Sequence, residues 1–297
     1  MKAADFLYHR PRTVAEAVAL LHDYGGDARI LAGGQSLMPM VNMRLMRPAA
    51  LIDINAIEGL DAVDLDTPEG AVLGTRLRYS TIETAGPIAA RLPLLAQAAR
   101  HVGDRQVRNR GTIGGSLVQA DPAGNLPLAV LTLGARLRAV SRTGSRDIAI
   151  EDFFQGSYAT ALHAEELLTS IVIPRSPCHF AYAEIARRHN DFAVIAVAVV
   201  GECDAAGRWT GLRIGLGGVD DTPILAVGAM ATGEGSALEE TMIARMAEAC
   251  ATQANPADDM RASASYRRHL LSVHVARMLR RLRDEGSAPR HEMRKLA

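Results

Sequence analysis

The chain has little cysteine, few aromatics, no net charge and no long apolar run, and each shortage removes a class of protein. Cys178, Cys203 and Cys250 are the only cysteines, far apart and without a C-x-x-C pair. Neither a disulfide framework nor a cysteine-ligated iron–sulfur cluster can be built within this chain. Phe, Trp and Tyr make up 4% of the residues, too little to stack exposed bases. Lys+Arg and Asp+Glu both number 33, a formal net charge of zero, which argues against nucleic acid or an anionic membrane as main partner. The longest apolar run, 192–201, is too short to span a bilayer. Met1-Lys2-Ala3-Ala4-Asp5 lacks the apolar segment of a signal peptide. The expectation is a cytoplasmic protein. Also missing are H-E-x-x-H, G-x-S-x-G and any clustered His/Cys ligand set. No residue is assigned a catalytic role, and no metal site is expected.

What is present begins with ample core: 297 residues at 48% hydrophobic content predict one to three domains. Two glycine stretches stand out. The first is Leu31-Ala32-Gly33-Gly34-Gln35-Ser36-Leu37; the second is Thr112-Ile113-Gly114-Gly115-Ser116. Each sets two glycines among small hydroxyl or amide residues at the mouth of an apolar segment. Glycine lets the backbone approach a ligand closely and reach φ > 0. Successive amides can then form an anion-binding nest. Neither stretch reads G-x-G-x-x-G, and neither leads into G-K-[ST], so Rossmann and P-loop readings are weak. Two such loops suit the two phosphates of a dinucleotide. With no acid, base or nucleophile singled out, the pattern fits a flavoprotein, in which the cofactor supplies the redox chemistry.

The elements follow from periodicity and caps. Thr13-Val14-Ala15-Glu16 is a capping box, and Gly25-Gly26 ends the helix it starts. A strand over 29–32 leads into the first loop, a short helix is predicted over 37–45, and a buried strand over 51–54. Strands over 62–65 and 71–77 flank a turn, and Thr81 is a candidate helix cap. A helix is predicted over 92–102. Asn125 reads as the N-cap of a helix over 126–133. Further strands are predicted over 135–141, 146–150 and 167–173, with a domain boundary at Ser176-Pro177. Beyond it come strands over 180–187, 193–202 and 212–219, then helices over 238–251 and 264–283, the latter capped by Ser263. Residues 193–200 are apolar throughout, so that strand should be buried on both faces. Arg267, Arg277 and Arg281 lie off the apolar face of the last helix and read as solvated. His101, near the second loop, reads as a cap or surface residue.

Ala32 to Leu37 followed by Val41-Asn42-Met43-Arg44-Leu45 resembles the first FAD loop of the medium, flavin-binding subunits of molybdenum hydroxylases. That family includes the flavin subunits of carbon monoxide dehydrogenase, xanthine dehydrogenase and several N-heterocycle dehydrogenases. The likeness continues through Val107-Arg108-Asn109-Arg110-Gly111 into the second loop, then Ala120-Asp121-Pro122-Ala123 and Glu166-Leu167-Leu168. It ends with Arg187 to Phe192, Leu216-Gly217-Gly218-Val219 and Arg261 to Arg267.

The resemblance implies an α+β fold: a two-subdomain PCMH-type FAD-binding domain over 1–176, with subdomains of about 1–55 and 56–176. A C-terminal α+β domain with a three-stranded antiparallel sheet would follow over 177–285, then a disordered tail over 286–297. It implies that 31–37 and 112–116 surround the FAD pyrophosphate, their amides donating and Ser36, Thr112 and Ser116 adding hydroxyls. Gly114→Val is then expected to abolish FAD retention, by filling that space and by opposing φ > 0. Asp121 matches the first carboxylate of the family's Asp-Pro-Ala-x-Asp pattern; an Asx turn before Pro122 is the alternative reading. Asn125 stands where the family has the second carboxylate and keeps the capacity to bond a ribityl hydroxyl. Val102 and Leu168 match apolar positions near the cofactor, and Asp191 and Phe192 match the segment bordering the isoalloxazine. The strand before that segment reads Ala183-Glu184-Ile185-Ala186, without the lysine of the xanthine dehydrogenase branch. The function implied is electron transfer within a heteromeric enzyme. A large partner subunit carries molybdopterin, a small one carries [2Fe–2S] clusters, and FAD passes electrons to an external acceptor. Two rivals are a stand-alone FAD-dependent oxidoreductase of the same fold and a binding module that has lost FAD. The intact Gly33-Gly34 and Gly114-Gly115 pairs argue against the second.

Overall fold

A computed structural model of the protein describes residues 2–175, 177 and 179–287. The chain forms two compact units interleaved in sequence. The first comprises the chain up to Ile82, Asp104–Ala120 and Ala135–Pro174; the second comprises Glu83–Gly103, Asp121–Gly134 and the chain from Arg175 on. Ser176, half of the expected boundary, lies outside the described residues.

In the first unit a helix, Val14–Tyr24, packs on a three-stranded parallel sheet. The Thr13 hydroxyl accepts the Glu16 amide at 3.1 Å, and Glu16 reaches back to the amide of Arg12 at 2.7 Å. Gly25, at φ 55°, closes the helix. Ala17, Val18 and Leu21, one face at helical spacing, are buried against Ala28, Ala50 and Ile52 of the sheet. The strands run in the order Leu7–His9, Ala50–Asp53, Ala28–Leu31. Leu7–His9 has no counterpart in the sequence reading: three residues at a sheet edge, with Leu7 and Tyr8 exposed, carry no alternation. The helix after the first loop is Leu37–Asn42, shorter than expected, and Arg44 at φ 59° turns the chain away from it.

The same unit holds a five-stranded antiparallel sheet in the order Val63–Thr67, Gly70–Gly74, Leu167–Ile173, Arg136–Ser141, Gly144–Ala149. The central strand breaks register between Leu168 and Ser170, a bulge of the kind that re-aims neighbouring groups. Thr81 lies inside the helix Tyr79–Thr84, so it is not the cap.

The second unit is built on an antiparallel sheet of four strands rather than the expected three: His179–Ala186, Ala193–Cys203, Trp209–Gly217 and Ile224–Leu225. The fourth pairs only Leu225 with Gly215 and Ile224 with Leu216; two residues cannot display a period. The strand Ala193–Cys203 is buried through Gly201. Its large residues, Ile195, Val197 and Val199, enter a core with Met246, Leu271 and Leu279 from the helices Glu240–Gln253 and Ala264–Ser287. By alternation Ala196 and Ala198 face the other way, where Gly215 and Gly217 leave a shallow strip. The helix Asn125–Thr132 sits in it: a Cβ on Gly215 would lie 2.1 Å from Thr132 Oγ1, and one on Gly217 3.2 Å from Leu128 Cδ2.

Ser263 does cap the last helix, accepting the Tyr266 amide at 3.2 Å. Arg267 is not on a solvated face. It is 5% exposed and donates to the carbonyls of Val194 at 2.6 Å and Gly218 at 2.7 Å, with Asp259 2.7 Å away. A helical wheel marks it as a surface charge; the strand carbonyl of Val194, the carbonyl of Gly218 just past a strand end and one carboxylate explain why it is buried. Gly286 and Ser287, expected in the tail, finish this helix, and 288–297 lie outside the described residues. Among the described residues no helix is long and apolar enough to cross a membrane.

Gly215→Val should cost about 1–3 kcal/mol by forcing the helix off the sheet, read as a lower urea midpoint at unchanged slope. Gly86→Ala, with open space around its Cβ, should leave stability unchanged or raise it.

Candidate functional site

The first glycine loop leaves the parallel sheet at the end of Ala28–Leu31. Its carbonyls are used: Ala32 accepts from Asn55 Nδ2 at 2.8 Å, Gly33 from Gln35 Nε2 at 3.2 Å, and Gly34 from the Met38 amide at 3.0 Å. Its amides are not: those of Gly33, Gly34, Gln35 and Ser36 have no acceptor among the described residues. Gly34, at φ +73°, lies in the left-handed region that this turn needs. Leu31, Ala32 and Leu37 are half-buried beneath the loop, while Gln35 and Ser36 are exposed. A row of successive open amides on a rigid turn is the geometry of an anion nest.

Gly33 seats the loop. A Cβ there would lie 2.2 Å from the carbonyl oxygen of Arg110 and 2.9 Å from the Cα of Gly111. The first loop therefore rests backbone to backbone on the segment that leads into the second. A side-chain relay fixes the contact: Asn55 accepts from Arg78 at 2.7 Å, and Arg78 also donates to the Arg110 carbonyl. Asp53 orients Asn55, accepting its side-chain and backbone N–H at 2.6 and 2.9 Å, and receives the Tyr8 hydroxyl at 2.5 Å. Burial alone would raise the Asp53 carboxyl, but the Tyr8 and Asn55 hydrogen bonds outweigh it and hold it below the usual range.

The second loop differs from the expectation. Its amides are occupied: Ile113 donates to Leu77 at 3.0 Å, Gly114 to Thr75 at 2.8 Å, Gly115 to the Thr112 hydroxyl at 3.2 Å and Ser116 to the Thr112 carbonyl at 3.0 Å. The Ser116 hydroxyl bonds to Tyr79, a buried phenol pushed up to about 12 by desolvation, against which Ser116 acts. Gly114 is not in the left-handed region. It is glycine because a Cβ would lie 2.4 Å from Thr75 Cβ. Gly114→Val therefore fails first through packing. The stretch is the N-cap and first turn of the helix Ile113–Gln119, and these bonded amides form no row of open donors. Leu168 joins it through Thr75, whose hydroxyl donates to the Leu168 carbonyl at 2.9 Å.

The remaining sequence candidates belong to the second unit. Asp121 accepts the Ala123 amide at 2.9 Å, an Asx turn before Pro122. Asn125 is the first residue of its helix, not the cap, a position Gly124 takes. Its Nδ2 instead donates to Glu184 at 2.8 Å, and Glu184 lies 3.3 Å from His101 Nδ1. His101 is the C-cap of the helix Pro93–Arg100, as expected, and its ring also meets Glu184. Tyr182, two residues from Glu184 on the same strand, stacks at a tilt 5.3 Å from the His101 ring. Burial and the Glu184 charge push the Tyr182 phenol well above its ordinary range. Asn125 Oδ1 and the Tyr182 hydroxyl are buried without a partner among the described residues. Val102 is half-buried in the turn after the helix Pro93–Arg100. Asp191 accepts the Phe192 amide, and Phe192 is exposed beneath the Arg261 guanidinium, 5.0 Å from its ring centre. Buried Cys250, its thiol pushed up to about 12 by desolvation, offers no thiolate. Among the described residues no cluster of His, Cys, Asp or Glu could hold a metal.

Sequence reasoning missed Asn55, Arg78, Tyr79, Glu184 and Tyr182. Asp53-x-Asn55 at a strand end is an Asx-turn pattern and was visible; the others are single residues with no local signal.

An open-amide loop braced on a second glycine segment sits in a mixed helix–strand fold, and among the described residues no His, Cys, Asp or Glu cluster could hold a metal. Comparison with known proteins gives the family. Residues 3–176 match the model of the FAD binding domain in molybdopterin dehydrogenase, and residues 180–282 the CO dehydrogenase flavoprotein C-terminal domain. The carbon monoxide dehydrogenase medium chain of Afipia carboxidovorans is 35% identical, over 95% of this chain and 98% of its own. The nicotine 6-hydroxylase medium subunit of Paenarthrobacter nicotinovorans is 35% identical, over 94% and 98%. Among solved structures, quinoline 2-oxidoreductase from Pseudomonas putida 86 matches with a TM-score of 0.92 at 32% identity, over 97% of this chain and 100% of that one. The chain belongs to the FAD-binding medium subunits of molybdenum-containing dehydrogenases, and is an oxidoreductase subunit.

Gly33→Ala should cost about 1–3 kcal/mol, because the Arg110 carbonyl must move. Asp53 adds a pH signature. Its folded pKa is depressed, so its stabilisation is full above the unfolded value of about 3.9 and is lost as pH falls through the lower folded value. Asp53→Asn should flatten that acid limb in urea melts across the range.

Proposed function

We propose that this chain is the FAD-binding electron-transfer subunit of a heteromeric molybdenum hydroxylase. Substrate is oxidised at molybdopterin in a large partner subunit. Electrons cross the [2Fe–2S] clusters of a small partner subunit to the FAD of this chain and leave to an external acceptor. When bound, the flavin supplies the redox chemistry. This chain's residues hold and tune it.

The observation that carries the reading is the 31–37 loop: four adjacent open amides on a turn held from behind by Asn55 and Gly33. It suits the FAD pyrophosphate, which Ser36 can also meet with its hydroxyl. Gly111 and the 112–116 segment brace the loop, with Leu168 behind them. Asp121, Asn125, Val102, Asp191 and Phe192 are assigned to the flavin half of the cofactor. Asn125 Oδ1, buried and unpartnered, is a ready acceptor for a hydroxyl. A functional division near residue 176, between a domain of subdomains 1–55 and 56–176 and one over 177–285, is part of the proposal, as is a cytoplasmic location.

The full chain, produced alone and reconstituted with FAD, should retain flavin absorbance after gel filtration. Produced with its partners, it should co-purify with a large and a small subunit, molybdenum and iron. Gly34→Val, which imposes about 1–2 kcal/mol of strain on a left-handed position, should lower flavin retention. A chain that takes up no FAD, or a monomer that oxidises substrate without molybdenum or iron, would overturn the assignment.

A further inference from the structure

Asn125, Glu184 and Tyr182 form a buried cluster beside the partly exposed ring of His101. Glu184 Oε2 lies 2.8 Å from Asn125 Nδ2, and the Glu184 side chain is 5% exposed. An aspartate at 125 would set two buried carboxylates against each other, so that one would have to hold a proton. An asparagine turns the clash into a hydrogen bond. All four residues belong to the second unit.

Hydrogen-bond bookkeeping indicates what the cluster awaits. Asn125 is 7% exposed and Tyr182 4%, yet Asn125 Oδ1 and the Tyr182 hydroxyl have no partner among the described residues. Buried polar atoms are rarely left so, because each costs its desolvation. An amide oxygen, a carboxylate and a phenol together present more acceptors than donors. They suit a ligand rich in hydroxyl donors, such as the polyhydroxyl chain of a flavin, and not an anion.

We infer that Glu184 supplies, from the strand His179–Ala186, a carboxylate that binds the cofactor. Asn125 positions it, and Asn125 Oδ1 with the Tyr182 hydroxyl completes the set that receives the ribityl chain. This rests on the assignment of FAD to the chain.

The test measures FAD affinity by flavin-fluorescence titration of the full apo chain. ADP, which shares the adenosine and pyrophosphate of FAD but lacks the ribityl chain, is titrated in parallel, and each apo variant is melted. Glu184→Leu is expected to weaken FAD binding at least about tenfold, the scale of a lost hydrogen bond to a charged group, and to leave ADP binding unchanged. Asn125→Asp should also weaken FAD. The exchange Asn125→Asp with Glu184→Gln moves the carboxylate to the helix and the amide to the strand, and should recover wild-type affinity. If Glu184→Leu does not fold, Glu184→Gln decides, since it keeps an acceptor for Asn125 Nδ2 and removes only the charge: weakened FAD binding with unchanged ADP binding and an unchanged apo melt supports the inference, and wild-type FAD affinity overturns it. Wild-type FAD affinity in a folded Glu184→Leu, an equal loss of FAD and ADP, or failure of the exchange to recover affinity overturns the inference. FAD binding by the wild type then leaves the family reading standing; its absence defeats both.

Discussion

The arrangement of the two glycine stretches depends on one close approach. Gly33 lies where any side chain would run into the Arg110 carbonyl, 2.2 Å from the position of its Cβ. Because backbone meets backbone there, the first loop cannot tilt. Its carbonyls accept from Asn55, Gln35 and Met38, and the amides of Gly33 to Ser36 have no acceptor among the described residues. Asn55 and Arg78 span the junction with three hydrogen bonds, to Ala32, to each other and to Arg110. The second stretch is tied in its turn to Thr75 and Tyr79. Preorganisation of this kind lets a phosphate meet donors that need no rearrangement, which saves the ordering cost of binding.

The second unit uses the same device at a sheet face. Small residues, Ala196, Gly215 and Gly217, let the helix Asn125–Thr132 lie close enough for Leu128 and Thr132 to fill the strip. That packing brings the first residue of the helix to Glu184. The opposite face carries the large residues and the bulk of the core. A strand that looks uniformly apolar in sequence thus has two distinct faces, one for stability and one that sets the position of a polar cluster.

Much of this was legible in the sequence because it is local. The Thr13 capping box, the strand buried on both faces at 193–200 and the Ser263 cap each depend on neighbours within a turn or a few residues. The glycine pairs were visible too, but their reasons were not. Gly114 was read as a left-handed position and is instead a packing requirement set by Thr75, far away in sequence. Arg267 has the spacing of a surface charge and is buried, bonded to the carbonyls of Val194 and Gly218. Asn125 has the chemistry of a cap and is recruited by Glu184 from another element. The edge strands Leu7–His9 and Ile224–Leu225 are too short to show a period. In each case the deciding partner is distant in the chain, and composition or spacing cannot name it.

The central claim is that the 31–37 loop holds the FAD pyrophosphate through its own amides while the 112–116 segment only braces it. Amide hydrogen exchange resolved to single residues, on the full chain with and without FAD, tests this most directly. Open amides that gain an acceptor must slow. The account predicts marked slowing at Gly33, Gly34, Gln35 and Ser36 on FAD binding, and little change at Ile113 to Ser116, whose amides are bonded already. FAD binding that leaves those first four amides exchanging as fast as before, with protection at 113–116 instead, would contradict it.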